Sequence, residues 1–130
     1  MRNEELRDWR KTKLRIKALL LQKRVVFAYR YLCDEKKEFV LSKQFLRCGT
    51  GIGANIAEAQ YGSSRKDFLN KLYISLKECA ETLYWLELLY SCDYITEQQY
   101  QSLYNDCVEL QKLLTSITKT MKETNPDDNF

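Results

Sequence analysis

The sequence contains no histidine, one proline (Pro126) and only four glycines among its 130 residues. Histidine is both the commonest metal ligand and the usual general base near neutral pH, so its absence leaves zinc and di-iron chemistry without their standard donors. One proline and four glycines are too few chain breakers for an all-β fold with its many tight turns. No stretch approaches the ~20 apolar residues of a membrane span. The opening MRNEELRDWRKTKLR has no apolar run of the kind found in a secretory signal. A cytoplasmic location is therefore expected. There the five cysteines, which include no C-x-x-C pair, should stay reduced.

What the chain does have is a seven-residue apolar beat. Leu14, Ala18, Leu21, Val25, Ala28 and Leu32 recur at alternating steps of four and three, which keeps them on one side of a helix. Leu41, Phe45, Cys48, Ile52, Asn55 and Ala59 form a second stripe. Leu69, Leu72, Leu76, Cys79, Leu83, Leu86 and Tyr90 form a third, and Tyr100, Leu103, Cys107, Leu110, Leu114, Ile117 and Met121 a fourth. These stripes predict helices over 13–34, 42–61, 65–91 and 97–122, after a flexible or helical arm at 1–12 and before a frayed tail at 123–130. The ends carry their own signals. Ser42 reads as an N-cap with Leu41 and Leu46 as its staple, and Gly62 as a left-handed stop. Ser64 with Asp67, and Thr96 with Gln99, read as capping boxes. Connections this short cannot carry the chain back along a rod of roughly 30 Å, so neighbours run antiparallel. The expected fold is all-α, an up-down-up-down four-helix bundle in one domain.

Asn55 stands out because it is polar within an apolar stripe, and a buried amide needs partners. A register estimate sets it against helix three, sets Arg47 opposite Glu78 and Glu81, and brings Glu58 towards the Lys66–Lys71 end. Arg47, Asn55, Glu58, Glu78 and Glu81 are thus expected to form a structural polar layer. Read as a catalytic or metal-binding carboxylate cluster, the same acids, with Asp106 and Glu109, lack the histidines and the cleft such chemistry needs. No catalytic residue, metal or cofactor is expected. The run Gly49-Thr50-Gly51-Ile52-Gly53 has neither the preceding strand nor the spacing of a phosphate loop. Gly49 and Gly53, four apart on one helix face, instead predict close approach of another helix.

The net charge of +3 is unevenly spread: residues 1–37 carry twelve Lys or Arg against five acids, and residues 93–130 three against seven. The first helix is thus a basic rod, whose functional reading is a nucleic-acid or acidic-partner surface. Charge alone favours a solvated helix face, since the isoelectric point near 8.5 is modest, and the acidic C-terminal region could pair with the rod. Ile16, Leu19, Leu20, Val26, Phe27 and Tyr31 give that helix more apolar surface than one core requires, which suggests a subunit interface.

The segment LSKQFLRCGTGIGANIAEAQYGSSRKDFLNKLYISLKECAETLYWLELL, with Asn55-Ile56-Ala57-Glu58 as its most specific piece, Arg47 before it and Glu78 and Glu81-Thr82 at matching acidic positions, resembles the bacterial four-helix-bundle family of 23S rRNA intervening-sequence proteins. It is also similar to the accessory variability determinant of diversity-generating retroelements. The resemblance implies a ring-like homopentamer without catalytic activity or a small-molecule substrate. Through the retroelement relatives it implies binding of RNA, DNA or a nucleoprotein by a basic surface, for which Lys11, Lys13, Arg15, Lys17, Lys23, Arg24 and Arg30 of the first helix are the candidate contacts. A protein-interaction scaffold with no nucleic-acid role is the alternative.

Overall fold

The computed structural model of the chain describes residues 3–123, with side chains from residue 11 onward. Four helices follow one another: α1 (Asn3–Asp34), α2 (Leu41–Ala59), α3 (Arg65–Ser91) and α4 (Glu97–Glu123). The backbones of α1 and α2, α2 and α3, α3 and α4, and α4 and α1 pack side by side, while those of the diagonal pairs stay apart among the described residues. Short connections and this square of neighbours make an antiparallel bundle. The helix from Asn3 takes in residues 3–12 of the expected arm, whose first two residues, like the expected tail beyond Glu123, lie outside the described residues.

On α1 the seam runs as the spacing predicts: Leu14, Ala18, Leu21, Val25 and Leu32 are buried and Ala28 packs against them. On α4, Leu103, Cys107, Leu110, Leu114 and Ile117 do the same. On α2 and α3 part of the seam holds, with Phe45, Cys48, Ile52, Ala59, Leu72, Cys79 and Leu86 buried as expected, and part is rotated. Ile56 takes the core place expected of Asn55, and Phe68, Ser75, Thr82 and Leu89 stand where Leu69, Leu76, Leu83 and Tyr90 were expected. The rotation turns two small hydroxyls inward, and both are satisfied. Ser75 Oγ donates to the Ile52 carbonyl at 2.9 Å, and Thr82 Oγ1 donates to the Glu78 carbonyl at 2.8 Å and meets Cys48 Sγ at 3.3 Å. The Ser75 bond ties α3 to the backbone of α2, a cross-helix tie that apolar periodicity does not register.

Two helix ends depart from the sequence signals. Helix α2 opens one residue before Ser42, behind Val40, and its cap is a carboxylate. Glu38 Oε1 accepts from Val40 N at 3.0 Å and Leu41 N at 2.8 Å, and its Oε2 accepts from Ser42 N at 2.6 Å. Ser42 is buried and donates its hydroxyl back to the Glu38 carbonyl. One acid thus serves three of the orphan amides at a helix start, where negative charge also suits the helix dipole. Burial alone raises the Glu38 pKa; the Leu41, Ser42 and Val40 amides, with the Ser42 hydroxyl, outweigh it and hold the group below its ordinary value. Gly62 is not left-handed. The α2 end tightens through Gln60 N to Ala57 O, Tyr61 N to Glu58 O and Gly62 N to Ala59 O. The left-handed residues are Lys37 (φ 53°) and Asp93 (φ 65°). At the α3 end Asp93 N bonds Tyr90 O and Tyr94 N bonds Leu89 O, the paired closure of a Schellman motif with aspartate in the usual glycine position. Ser64 caps α3 through the Asp67 amide, and Thr96 and Gln99 exchange both bonds of a capping box.

The two glycines expected to admit a helix face α1. A methyl group at Gly49 would stand 2.6 Å from Val25 Cγ1, and one at Gly53 would collide with the Gln22 amide. That amide donates to the Thr50 carbonyl at 2.7 Å, a second helix-to-helix tie made possible by the missing side chain. A methyl group at Gly51 would point elsewhere, to 3.1 Å from the Glu78 carboxyl carbon of α3.

This geometry separates substitutions that helix propensity treats alike. Gly49→Ala should lower the unfolding free energy by about 1–3 kcal/mol, because fully buried Val25 has nowhere to move. Gly51→Ala should be neutral or stabilising by up to about 1 kcal/mol, because a flexible carboxylate can yield. Chemical denaturation of the pair checks this, and equal effects would refute it. For Glu38 the folded pKa is depressed, so its contribution is present above the ordinary carboxylate value and is lost as pH falls through the folded value. Glu38→Ala should cost about 1–2 kcal/mol at pH 7. That cost should shrink below about pH 4 in denaturation series across pH.

Candidate functional site

The outer half of α1 follows from the inner half. Once its seam faces the core, Gln22 and Val25 face α2, and Lys17 and Arg24 fall on the side of α4. Ile16, Leu19, Leu20 and Phe27 are left turned outward, each more than half exposed. Between α1 and α2 this face opens into a groove of about 320 Å³ lined by Thr12, Arg15, Ile16, Leu19, Gln22 and Ala57, among others.

The seven candidate basic residues of this helix do not act as one surface. Lys17 Nζ lies 3.4 Å from Glu109 Oε2. Arg24 pairs with Asp106 and donates to the Ser102 hydroxyl at 2.8 Å. Lys11 Nζ sits 4.9 Å from the centre of the Phe68 ring, and Lys13 is exposed and already engaged in a contact. Arg15 lines the groove, Lys23 is exposed, and Arg30 leans on the Phe27 ring with 5.7 Å from guanidinium to centroid. The acidic C-terminal region therefore neutralises one side of the rod within the chain and leaves Arg15, Lys23 and Arg30 outward. The apolar residues of α1 lie among these three, since positions 15, 16, 19, 23, 27 and 30 share one helical face.

The expected polar layer forms only in part. Glu58 Oε2 meets Lys71 Nζ at 2.8 Å across α2 and α3, the contact the register estimate placed there. Arg47 closes no ion pair with Glu78 or Glu81. It and Glu81 are exposed and keep their hydration, and Arg47 reaches Glu78 only as a nearby charge. Asn55 does not bond to helix three. With Ile56 turned into the core, Asn55 is half-buried, and its amide donates to the Gly51 carbonyl one turn back in its own helix at 2.8 Å. Gln22, Ser75 and Thr82 make the ties expected of it. The signal for the last two was the heptad from Phe68 through 75 and 82 to Leu89, hidden because serine and threonine are not counted as apolar.

Two of the core cysteines, Cys48 and Cys79, are held as thiols. Burial pushes the Cys48 thiol up to about 11, against an opposing bond from Thr82. At Cys79 the hydrogen bond with Cys107 and then burial raise the thiol strongly. Among the described residues no group of three or more acids or cysteines is placed to hold a metal ion.

The sequence profile of the 23S rRNA-intervening sequence proteins matches residues 10–116. A crystal structure at 1.70 Å of a protein with unknown function from the S23 ribosomal protein family of Bacteroides thetaiotaomicron VPI-5482 is 54% identical, with a TM-score of 0.84. The match covers 85% of this chain and 98% of that one. The chain matches no curated protein.

One consequence of the polar layer is measurable. Glu78 is raised above its ordinary value, first by burial and then by the Glu81 charge, with Arg47 and Lys77 opposing. A raised acid favours the folded state more as pH falls and disfavours it once ionised. Glu78→Gln should therefore raise stability at pH 7, by up to about 1 kcal/mol, and the gain should fade as pH drops towards 4. Thermal melts at both pH values check it, and a loss of stability at pH 7 would contradict it.

Proposed function

The chain belongs to the 23S rRNA-intervening sequence protein family, and on that footing we propose that it is a non-enzymatic, oligomeric, cytoplasmic bundle that binds nucleic acid or a ribonucleoprotein through α1. The observation that carries the reading is the outward placement of Arg15, Lys23 and Arg30, which the acids of α4 do not neutralise. Such a surface attracts phosphate without a sequence code. Among the described residues no helix is long and apolar enough to cross a membrane.

Assembly into a homopentameric ring belongs to the same proposal. Support comes from two different exposed apolar faces, Ile16, Leu19, Leu20 and Phe27 on α1 and Tyr73, Ile74 and Tyr84 on α3. Because α1 and α3 are diagonal, these faces look away from each other across the bundle. Unlike faces on opposite sides suit head-to-tail contact, which closes into a ring when the rotation permits.

The exposed apolar side chains of α1 also favour a second reading, in which the partner is a protein. Salt separates the two. Phosphate contacts lose affinity along a counterion-release slope, whereas an apolar interface persists. RNA and DNA should bind at low salt, and Arg15→Ala, Lys23→Ala and Arg30→Ala together should reduce the slope of log K against log salt by about 2–3. Lys17→Ala should leave the slope nearly unchanged. Failure of both nucleic acids to bind at low salt, with a protein complex that survives high salt, would replace the first reading with the second. Light scattering reads the subunit number.

A further inference from the structure

The connections α1–α2 and α3–α4 meet at one end of the bundle, far from the groove beside Arg15. Between them lies a cavity of about 300 Å³. Its walls are Tyr31 from the end of α1, Tyr90 from the end of α3, and Tyr94 and Ile95 from the connection that follows. Its rim carries two carboxylates, Asp93 and Glu97, and one ammonium, Lys36.

The walls are held in place. Tyr90 stacks on Tyr100 at 4.7 Å between centroids and 9° between planes. The Schellman closure, with Asp93 left-handed, fixes where Tyr94 follows, and the capping box of Thr96 and Gln99 fixes the start of α4 and hence Glu97. Ile95 is buried beneath them.

Three tyrosines and two carboxylates around one half-open cavity form a combination suited to a positive charge spread over carbon. Ring faces attract a cation through their quadrupole, and organic cations lose less hydration than small ions when they enter such a space. Lys36 Nζ lies 5.9 Å from the centre of the Tyr31 ring, a tethered ammonium at the edge of the site.

We propose that this cavity binds an organic cation, an alkylammonium or guanidinium head group, with Tyr31, Tyr90 and Tyr94 as its walls, Asp93 and Glu97 as its counter-charges and Lys36 as a displaceable occupant. It is independent of the nucleic-acid reading, since none of these residues lies on the outward face of α1. The ligand can be free, as a polyamine, or can be a basic side chain of a partner protein.

Choline, titrated into the full chain while tyrosine ring resonances are followed, is the first probe. Saturable shifts at Tyr31, Tyr90 and Tyr94 are expected, and none with the uncharged isostere in which carbon replaces the nitrogen. Asp93→Asn with Glu97→Gln keeps both helix ends and should weaken choline binding by about tenfold. Lys36→Ala should strengthen it, because the tethered competitor is gone. Spermidine and an arginine- and lysine-containing peptide then distinguish the sources, the tighter ligand identifying which is the better fit. Equal binding of choline and its uncharged isostere, no shifts at the three tyrosines, or unchanged affinity in the double variant would overturn the proposal.

Discussion

The structure depends on how near α1 comes to α2. Helices normally stand 8–10 Å apart, with side chains from both filling the space between. Here Gly49 and Gly53 leave that space to Val25 and to the amide of Gln22, and the amide reaches a main-chain carbonyl it could not otherwise touch. Each glycine costs about 1 kcal/mol of helix propensity relative to alanine. The burial of Val25 and the satisfied polar tie offset it. Because the contact sets the rotation of α1, it also determines which residues of that helix remain outside.

From that rotation the surface follows. Lys17 and Arg24 turn to the acids of α4, in pairs too exposed to contribute more than about 1 kcal/mol each, so their main effect is on the charge of the surface. The outer face keeps Arg15, Lys23 and Arg30 among aliphatic and aromatic side chains. A mixed face of this kind suits both phosphate attraction and packing against another subunit. The two are compatible if different stretches of the helix serve them.

Much of the architecture was legible in the sequence because it rests on period. Four stripes of apolar residues gave four helices, and on α1 and α4 they gave the buried residues almost position by position. The glycine spacing announced a close neighbour, though not which helix. Legibility failed where polar groups did the work. Asn55 looked like the buried amide, but a seam rotated by about one residue put Ile56 inside and left the tying to Ser75, Thr82 and Gln22, none of which breaks or marks a pattern. Glu38 caps a helix from four residues before Ser42, a role that depends on the loop geometry and not on spacing. Arg47 and Glu78 were matched by level along the bundle, and level alone says nothing of which way a long side chain turns. The basic rod was visible as a count of charges, whereas its division into a neutralised side and an open side needed the position of α4.

The measurement that bears most directly on the close approach is a double-mutant cycle at its centre, Gly49→Ala with Val25→Ala, read by equilibrium denaturation. If Val25 occupies the space the glycine leaves, truncating it makes room for the added methyl, and the double variant should be more stable than the two single losses add up to, by about 1–2 kcal/mol. Strict additivity would mean that the two side chains do not compete for that space, and the rotation of α1 would need another cause.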